Sequence, residues 1–527
     1  YKIKDGKMIF SFESDIKIDD DILKRELSFN ADARLKSIVG TIQKEQNQII
    51  RNESDRILVV QGGAGSGKTS IALHRIAYLL YHHRNDMKAA NILIFSPNGV
   101  FADYISHILP ELGEENILEM NFDTYVYKEL KKYTSIEAED KYDGIERILS
   151  MDNADDAKEY EDRINRMQSK DAVKDICGFV IEAEYDLVKI RDLKYKKIAK
   201  TADEIATLFY EKFPDIPVLA RMDTIASYIC DEESTLRGKD MEEFEEEIVK
   251  DRLKRMYRTT NLLELYNEYL VSCDEVPLER DIKYIPYEHV YPMLYLRYAL
   301  MGAGRGRNMK HIIIDEMQDY SYMQYDLIKK IFGDCPMTIL GDREQTMASM
   351  CENVTGYIRE IFGKKSKIVE MKKSYRQTIE IASFAGKLIK SDNEYFERHG
   401  EEVGLYECIN ETELIDKMVE NINKQSEFDT IAILCLTIED ALYLYEQLKT
   451  RMDVSIIDKE SENFTTGVVI TTFYIAKGLE FDAVHVYDTS DKRYYSDFHK
   501  QILYIESTRA LHSLKLYSDG NMTELVK

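Results

Sequence analysis

The segment Gly62-Gly63-Ala64-Gly65-Ser66-Gly67-Lys68-Thr69 limits the folds open to this chain more than any other. Arg56 to Gln61, just before it, is largely apolar and reads as a buried strand, and Ser70 to Leu80, just after it, has the periodicity of a helix. A glycine-rich loop between such elements aims successive backbone N–H groups and a helix N-terminus at a chain of phosphates. In that setting Lys68 reaches the β- and γ-phosphates and the Thr69 hydroxyl coordinates Mg²⁺. A bare glycine-rich turn explains neither the strand nor the helix. The chain is therefore expected to bind a nucleoside triphosphate, with ATP and Mg²⁺ as ligands.

A second segment points the same way. His311-Ile312-Ile313-Ile314 followed by Asp315-Glu316 describes a buried parallel strand that delivers two carboxylates at its C-terminal tip. Asp315 suits an indirect Mg²⁺ ligand, and Glu316 suits the general base that polarises the attacking water. Pro336 to Leu340 reads as another strand, ending in Gly341-Asp342-Arg343-Glu344-Gln345, where Gln345 is placed to sense a γ-phosphate.

Composition narrows the class. The chain has 527 residues, room for about three or four domains. No run approaches the ~18 uninterrupted apolar residues of a membrane span, and no signal-peptide pattern opens the chain. Seven cysteines are scattered without a CxxC or a nearby histidine cluster. That argues for reduced thiols in a cytoplasmic protein and against zinc or disulfides. The formal net charge is −25, whereas proteins that live on nucleic acid usually carry a basic balance or a basic face. The chain opens on Tyr1, and residues 1–40 contain no complete-looking unit, so they are expected to be the lead-in remnant of a missing N-terminal region.

The P-loop, DEMQD (315–319), GDREQ (341–345), SYRQT (374–378), TFYIAKGLEF (472–481) and YIESTRA (504–510) occur in the order found in UvrD/Rep-like superfamily 1 helicases, which the chain resembles from 41 to 520. The resemblance implies that Gln46 reads the adenine edge, Tyr375 stacks on the base, and Glu480 contacts the ribose. It implies that Arg376 and Arg509 are arginine fingers supplied by a second lobe, where guanidinium groups match the charge spreading over a transferring phosphoryl group. Ser70 stands where the family usually carries an adenine-packing arginine. Within the group, residues 41–51, 72–81, 95–98, 109–114 and 503–512 resemble the HelD branch, ATP-using factors that bind bacterial RNA polymerase and free it from stalled complexes. RNA polymerase is the partner this resemblance implies.

The implied fold is α/β, with two RecA-like lobes built on parallel sheets. Residues 41–125 and 291–362 form the first lobe, 126–290 a mainly helical insertion (1B), and 363–527 the second lobe, with Ile368–Met371 among its strands. About 90 residues separate SYRQT from AKGLEF, which leaves no room for a sizeable 2B domain. The insertion holds 40 acidic and 27 basic residues. Two basic stretches, Lys189–Lys200 and Lys250–Arg258, are candidate contacts for nucleic acid or an acidic partner, or else solvated helix faces. Met241 to Glu247 reads as an acidic helix with Met241 and Phe244 turned inward. DNA-translocating relatives follow the third-motif glutamine with base-stacking aromatics. Here Gln345 leads into Thr346-Met347-Ala348, and the chain has no Trp, so grip on single strands is expected to be weak. Three readings follow: a HelD-type polymerase-remodelling ATPase, a DNA helicase or single-strand translocase, and a nucleotide-gated binding protein.

Overall fold

The computed structural model describes residues 2–4, 7–10, 46–97, 117–151, 153–302, 309–346, 353–363, 366–371, 373–374, 376–389, 394–395, 398–459, 461 and 466–526. Tyr375, 109–114 and all of 1–45 except a short antiparallel hairpin (Lys2–Lys4 with Lys7–Phe10) lie outside these residues.

The first lobe is one six-stranded parallel sheet. In chain order its elements are β1 (Ile57–Gly62), helix α1 (Lys68–His82), β2 (Ile92–Phe95), β3 (Leu118–Met120), β4 (His311–Ile314), β5 (Met337–Gly341) and β6 (Ser366–Met371). The strands lie in the order β6-β1-β5-β4-β2-β3. The central strands are apolar on both faces, as a sheet covered on both sides requires. Leu58, Val60, Ile94, Ile313 and Leu340 pack with α1 on one face. Ile57, Val59, Phe95, Ile312, Ile314 and Ile339 face the other way into a core continuous with the insertion. The period-two alternation of each strand thus separates the two layers.

β6 corrects the lobe boundary. Its residues, assigned from sequence to the second lobe, pair in parallel with β1 from Ser366↔Ile57 to Met371↔Gly62. An apolar strand pattern does not say which of two neighbouring sheets it completes, and the crossover into the second lobe comes after Met371. The start of the insertion also falls inside a helix, Phe122–Leu130.

The insertion is built from helices, among them α2 (Lys141–Leu149) and, at its C-terminal border, α3 (Tyr287–Met301). α3 is buried on nearly every side, consistent with its lack of a polar face. The acidic run differs from expectation. The helix begins at Glu243, so its inward stripe is Glu245, Val249 and Leu253, at i, i+4 and i+8. Met241 is buried, but Phe244 is 59% exposed. Glu245 is tolerated inside because Lys196 and Arg237 pair with it.

The second lobe repeats the parallel architecture with β7 (Gly404–Cys408), β8 (Thr430–Cys435), β9 (Val454–Ile456), β10 (Gly467–Thr472), β11 (Phe481–Val486), helix α4 (Asp497–Ser507) and β12 (Ala510–Asp519). The order is β7-β12-β11-β8-β10-β9. The interval between SYRQT and AKGLEF is taken up by β7 to β10 and by the helices Ile379–Ile389, Glu411–Asn423 and Ile438–Leu448 of this lobe. No helix among the described residues is long and apolar enough to cross a membrane.

A buried arginine ties α1 to the sheet. Arg75 donates to Thr338 Oγ1 at 2.9 Å and to the carbonyls of Ile49 and Ile50 at 2.9 and 3.0 Å. Arg75→Leu strands the two carbonyls and is expected to destabilise the first lobe by about 2–3 kcal/mol, read as a lowered thermal midpoint of that lobe.

Candidate active site

β1 ends in the phosphate-type loop because residues 62–67 can adopt conformations that other residues resist. Gly65 and Gly67 have φ of 77° and 86°, and Gly67 caps the N-terminus of α1. A Cβ on Gly65 would lie 2.4 Å from Arg376 Cβ and 2.8 Å from Ser374 Oγ, so the second-lobe segment sits directly against the loop. Ser374 Oγ also donates to the Ala64 carbonyl at 2.6 Å. The Lys68 ammonium donates to the carbonyls of Gly62 and Gly63 at 2.8 and 2.9 Å, at the mouth of the loop. The Gln46 amide lies 3.1 Å from where a Cβ on Gly67 would stand, and Ser70 is exposed on the first turn of α1.

The carboxylates arrive from β4. Asp315 follows its last residue and is buried. Burial, and then the neighbouring Glu316 carboxylate, push its carboxyl up to about 7 against the pull of Lys68. Glu316 has a left-handed backbone, φ 51° and ψ 50°, uncommon for a residue with a side chain and a form of strain found at functional positions. The turn brings its Oε2 to within 2.5 Å of Gln318 Nε2. Gln318 Oε1 in turn accepts from Asp342 N at 2.9 Å, which joins the end of β4 to the end of β5. Only a glycine fits at 341, since a Cβ there would meet Gln318 Oε1 at 2.4 Å and Met317 N at 2.7 Å. Asp342 is pushed up to about 6 by burial.

These surroundings suit a divalent cation that arrives with phosphate ligands. Asp342 Oδ2 and Ser66 Oγ are buried without a hydrogen-bond partner among the described residues, and two raised carboxyls stand beside an ammonium. Thr69 and Asp315 are the residues that the sequence reading expects to hold Mg²⁺.

The second lobe closes the site. Arg509, between α4 and β12, is buried and donates to Gln345 Oε1 at 3.0 Å, to Thr508 Oγ1 at 3.1 Å, and to the carbonyls of Ile505 and Leu479 at 3.1 and 3.3 Å. Burial lowers its pKa, with the Glu316 carboxylate pulling the other way. Arg376 Nη2 pairs with Glu480 at 2.5 Å, so two residues with separate implied roles here hold one another. Gln377 anchors this segment beside Arg509 through the carbonyls of Ser507 and Ala510, at 3.3 and 3.2 Å. Lys477, 3% exposed, pairs with Asp319 and donates to the Gln345 carbonyl at 3.1 Å.

Sequence reasoning named the loop, Gln46, Asp315, Glu316, Gln345, Arg376, Glu480 and Arg509, and the structure brings these together, with Tyr375 outside the described residues. It passed over Ser374, Gln377, Gln318, Asp319 and Lys477. All five lie inside the quoted motifs, within three positions of residues that were singled out.

Residues 42–349, more than half of the chain, match the description UvrD/REP helicase N-terminal domain. The chain belongs to the UvrD/REP helicase family. Among curated UvrD/REP relatives it is 26% identical to DNA helicase II of Haemophilus influenzae over 192 residues, 33% of this chain and 24% of that protein. It is 21% identical to the ATP-dependent DNA helicase PcrA of Staphylococcus epidermidis over 432 residues, 76% of this chain and 49% of the relative. The chain thus spans about half or less of the length of these relatives. A solved C-terminal domain of a possible DNA helicase from Lactobacillus plantarum is 29% identical, covering 29% of this chain and 92% of that one, with a TM-score of 0.26.

Gly65→Ala places a side chain in a left-handed conformation that costs about 1–2 kcal/mol and drives it into Arg376. Affinity for a fluorescent ATP analogue is expected to fall at least about tenfold. Wild-type affinity would show that the loop does not hold phosphate in this conformation.

Proposed function

We propose that this chain is an ATP-hydrolysing UvrD-type motor whose two lobes share one catalytic site. The observation that carries the reading is the Arg509–Gln345 contact, which puts a second-lobe guanidinium on a first-lobe polar group beside the P-loop and the Asp315-Glu316 pair. The loop amides and Lys68 bind the β- and γ-phosphates. Bound Mg²⁺ supplies charge neutralisation of those phosphates. Glu316 orients the attacking water and takes its proton as the water oxygen bonds to the γ-phosphorus. The bond to the β–γ bridging oxygen breaks, and ADP leaves with that oxygen. Gln345, Arg509 and Arg376 stabilise the charge that develops on the transferring group.

Lys68→Ala is expected to weaken nucleotide binding and turnover together. Glu316→Gln should keep ATP bound while slowing hydrolysis about 10²-fold or more; hydrolysis at the wild-type rate would remove Glu316 as the base. Arg509→Ala should lower kcat by about 10³-fold with little change in nucleotide affinity, on the scale of arginine fingers. Equal losses in both quantities would assign Arg509 to ground-state binding.

What the motor acts on is a separate question. The names of the relatives, DNA helicase II and ATP-dependent DNA helicase PcrA, support DNA. The second reading, a HelD-type factor that remodels RNA polymerase, is supported by the HelD-like segments and by the state of the basic stretches. In the Lys250–Arg258 stretch, Lys250 and Lys254 pair with Asp223, Arg255 with Asp251, and Arg258 with Glu268. In the Lys189–Lys200 stretch, Lys196 pairs with Glu245 and Lys200 with Glu232. Charges paired this way offer less to a phosphate backbone, although Lys189, Arg191, Lys194 and Lys197 of the same stretch have no ion pair among the described residues. ATPase rates with single-stranded DNA, with bacterial RNA polymerase and with neither separate the readings. Stimulation by DNA supports the first and stimulation by polymerase the second. Tight nucleotide binding with negligible turnover would instead mark a nucleotide-gated binding protein.

A further inference from the structure

Helix α2 belongs to the insertion, yet it touches both lobes. Glu146 Oε1 accepts from the Ile438 amide at 2.8 Å and from the Tyr474 hydroxyl, both in the second lobe. Tyr142 stacks on Tyr474 with ring centroids 5.2 Å apart, and Lys459 pairs with Asp143 at 2.8 Å. On the other side, Lys141 Nζ lies 3.5 Å from Asp319 Oδ2 in the first lobe. Asp319 is the carboxylate that pairs with Lys477, Lys477 donates to the Gln345 carbonyl, and the Gln345 side chain accepts from Arg509. Consecutive polar contacts therefore run from the insertion to the proposed arginine finger.

We propose that Lys141 is a positioning residue through which the insertion sets the rate of hydrolysis. The proposal rests on the ATPase reading above. Asp319 is largely buried and divides its two oxygens between two ammonium groups. Removing Lys141 leaves one oxygen without its cation in a desolvated setting, so the carboxylate and the Lys477 bound to it lose a fixed position. Lys477 holds the backbone of Gln345, so the displacement reaches the Gln345–Arg509 contact. Position 141 itself is informative. It is the first residue of α2, where the helix dipole disfavours a cation, and the Asp140–Asp143 capping box marks the end as suited to acids. Burial works against the Lys141 charge, but Tyr142, Asp319 and Asp123 around it hold its pKa above the ordinary value, so the ammonium is retained.

The test uses the full chain and measures kcat, nucleotide affinity and thermal midpoint for the wild type, Lys141→Met, Lys141→Arg and Glu316→Gln. Lys141→Met is expected to lower kcat about tenfold while nucleotide affinity stays within about twofold, and Lys141→Arg should recover most of the rate. An unchanged kcat in Lys141→Met overturns the proposal. So does a joint fall of rate, affinity and midpoint that Arg does not rescue, since that is the mark of a structural role. If the wild type hydrolyses no ATP, the ATPase reading falls and takes this inference with it, whereas a Glu316→Gln variant that matches the wild type removes only Glu316 as the base. Wild-type turnover that Glu316→Gln abolishes and Lys141→Met leaves intact rejects this inference alone.

Discussion

One partly buried carboxylate, Asp319, is a point where all three parts of the chain meet. It comes from the first lobe, and its two oxygens face Lys477 of the second lobe and Lys141 of the insertion. Charges taken out of water this way are tolerated only when every partner is present, because the desolvation of each is offset by the others. The geometry of the cleft inherits that all-or-none character. Lys477 fixes the backbone of Gln345, Arg509 fixes its side chain, and Gln318 ties Glu316 to the next strand. The residues aimed at the phosphates are thus held by residues that do not face them.

The two kinds of contact made by the insertion differ in character. Against the first lobe it shares a continuous apolar core, from Phe95 and Ile314 through Phe122 to Tyr291 and Leu294. Against the second lobe it offers α2, whose Ile145 and Leu149 pack with Tyr142 on that lobe's core beside the polar contacts of Glu146 and Asp143. Apolar burial is non-directional and survives small shifts, whereas hydrogen bonds and ion pairs depend on alignment. The polar part of the α2 contact, with Tyr474, Ile438 and Lys459, is therefore the part that fixes alignment between the insertion and the second lobe.

Much of this architecture was legible in the sequence, for physical reasons that can be named. Ile438–Leu448 carries its capping threonine and a clear apolar stripe, and it forms the helix expected. β1, β4 and β8 are apolar runs between polar turns, the mark of strands buried on both faces. The sheet to which Ser366–Met371 belongs was not legible, because strand pattern carries no address. Phe244 was misplaced because the helix starts two residues after Met241, which rotates the inward stripe onto Glu245. A buried glutamate is invisible to a hydrophobic pattern until Lys196 and Arg237 are seen beside it. In the site, residues aimed at the phosphates were legible from loop and strand-tip chemistry. Gln318, Asp319 and Lys477 were not, since their partners lie on other segments of the chain.

The docking of α2 on Tyr474 has a further consequence in terms of competition. The helix is covalently part of the molecule it docks on, so the face it covers experiences an effective concentration on the order of millimolar. A free ligand for that face, present at micromolar levels, has to bind it about a thousandfold more tightly than α2 does before it displaces the helix. The second-lobe surface around Tyr474 is thereby screened from weak, unselective encounters and remains open to a strong, specific one.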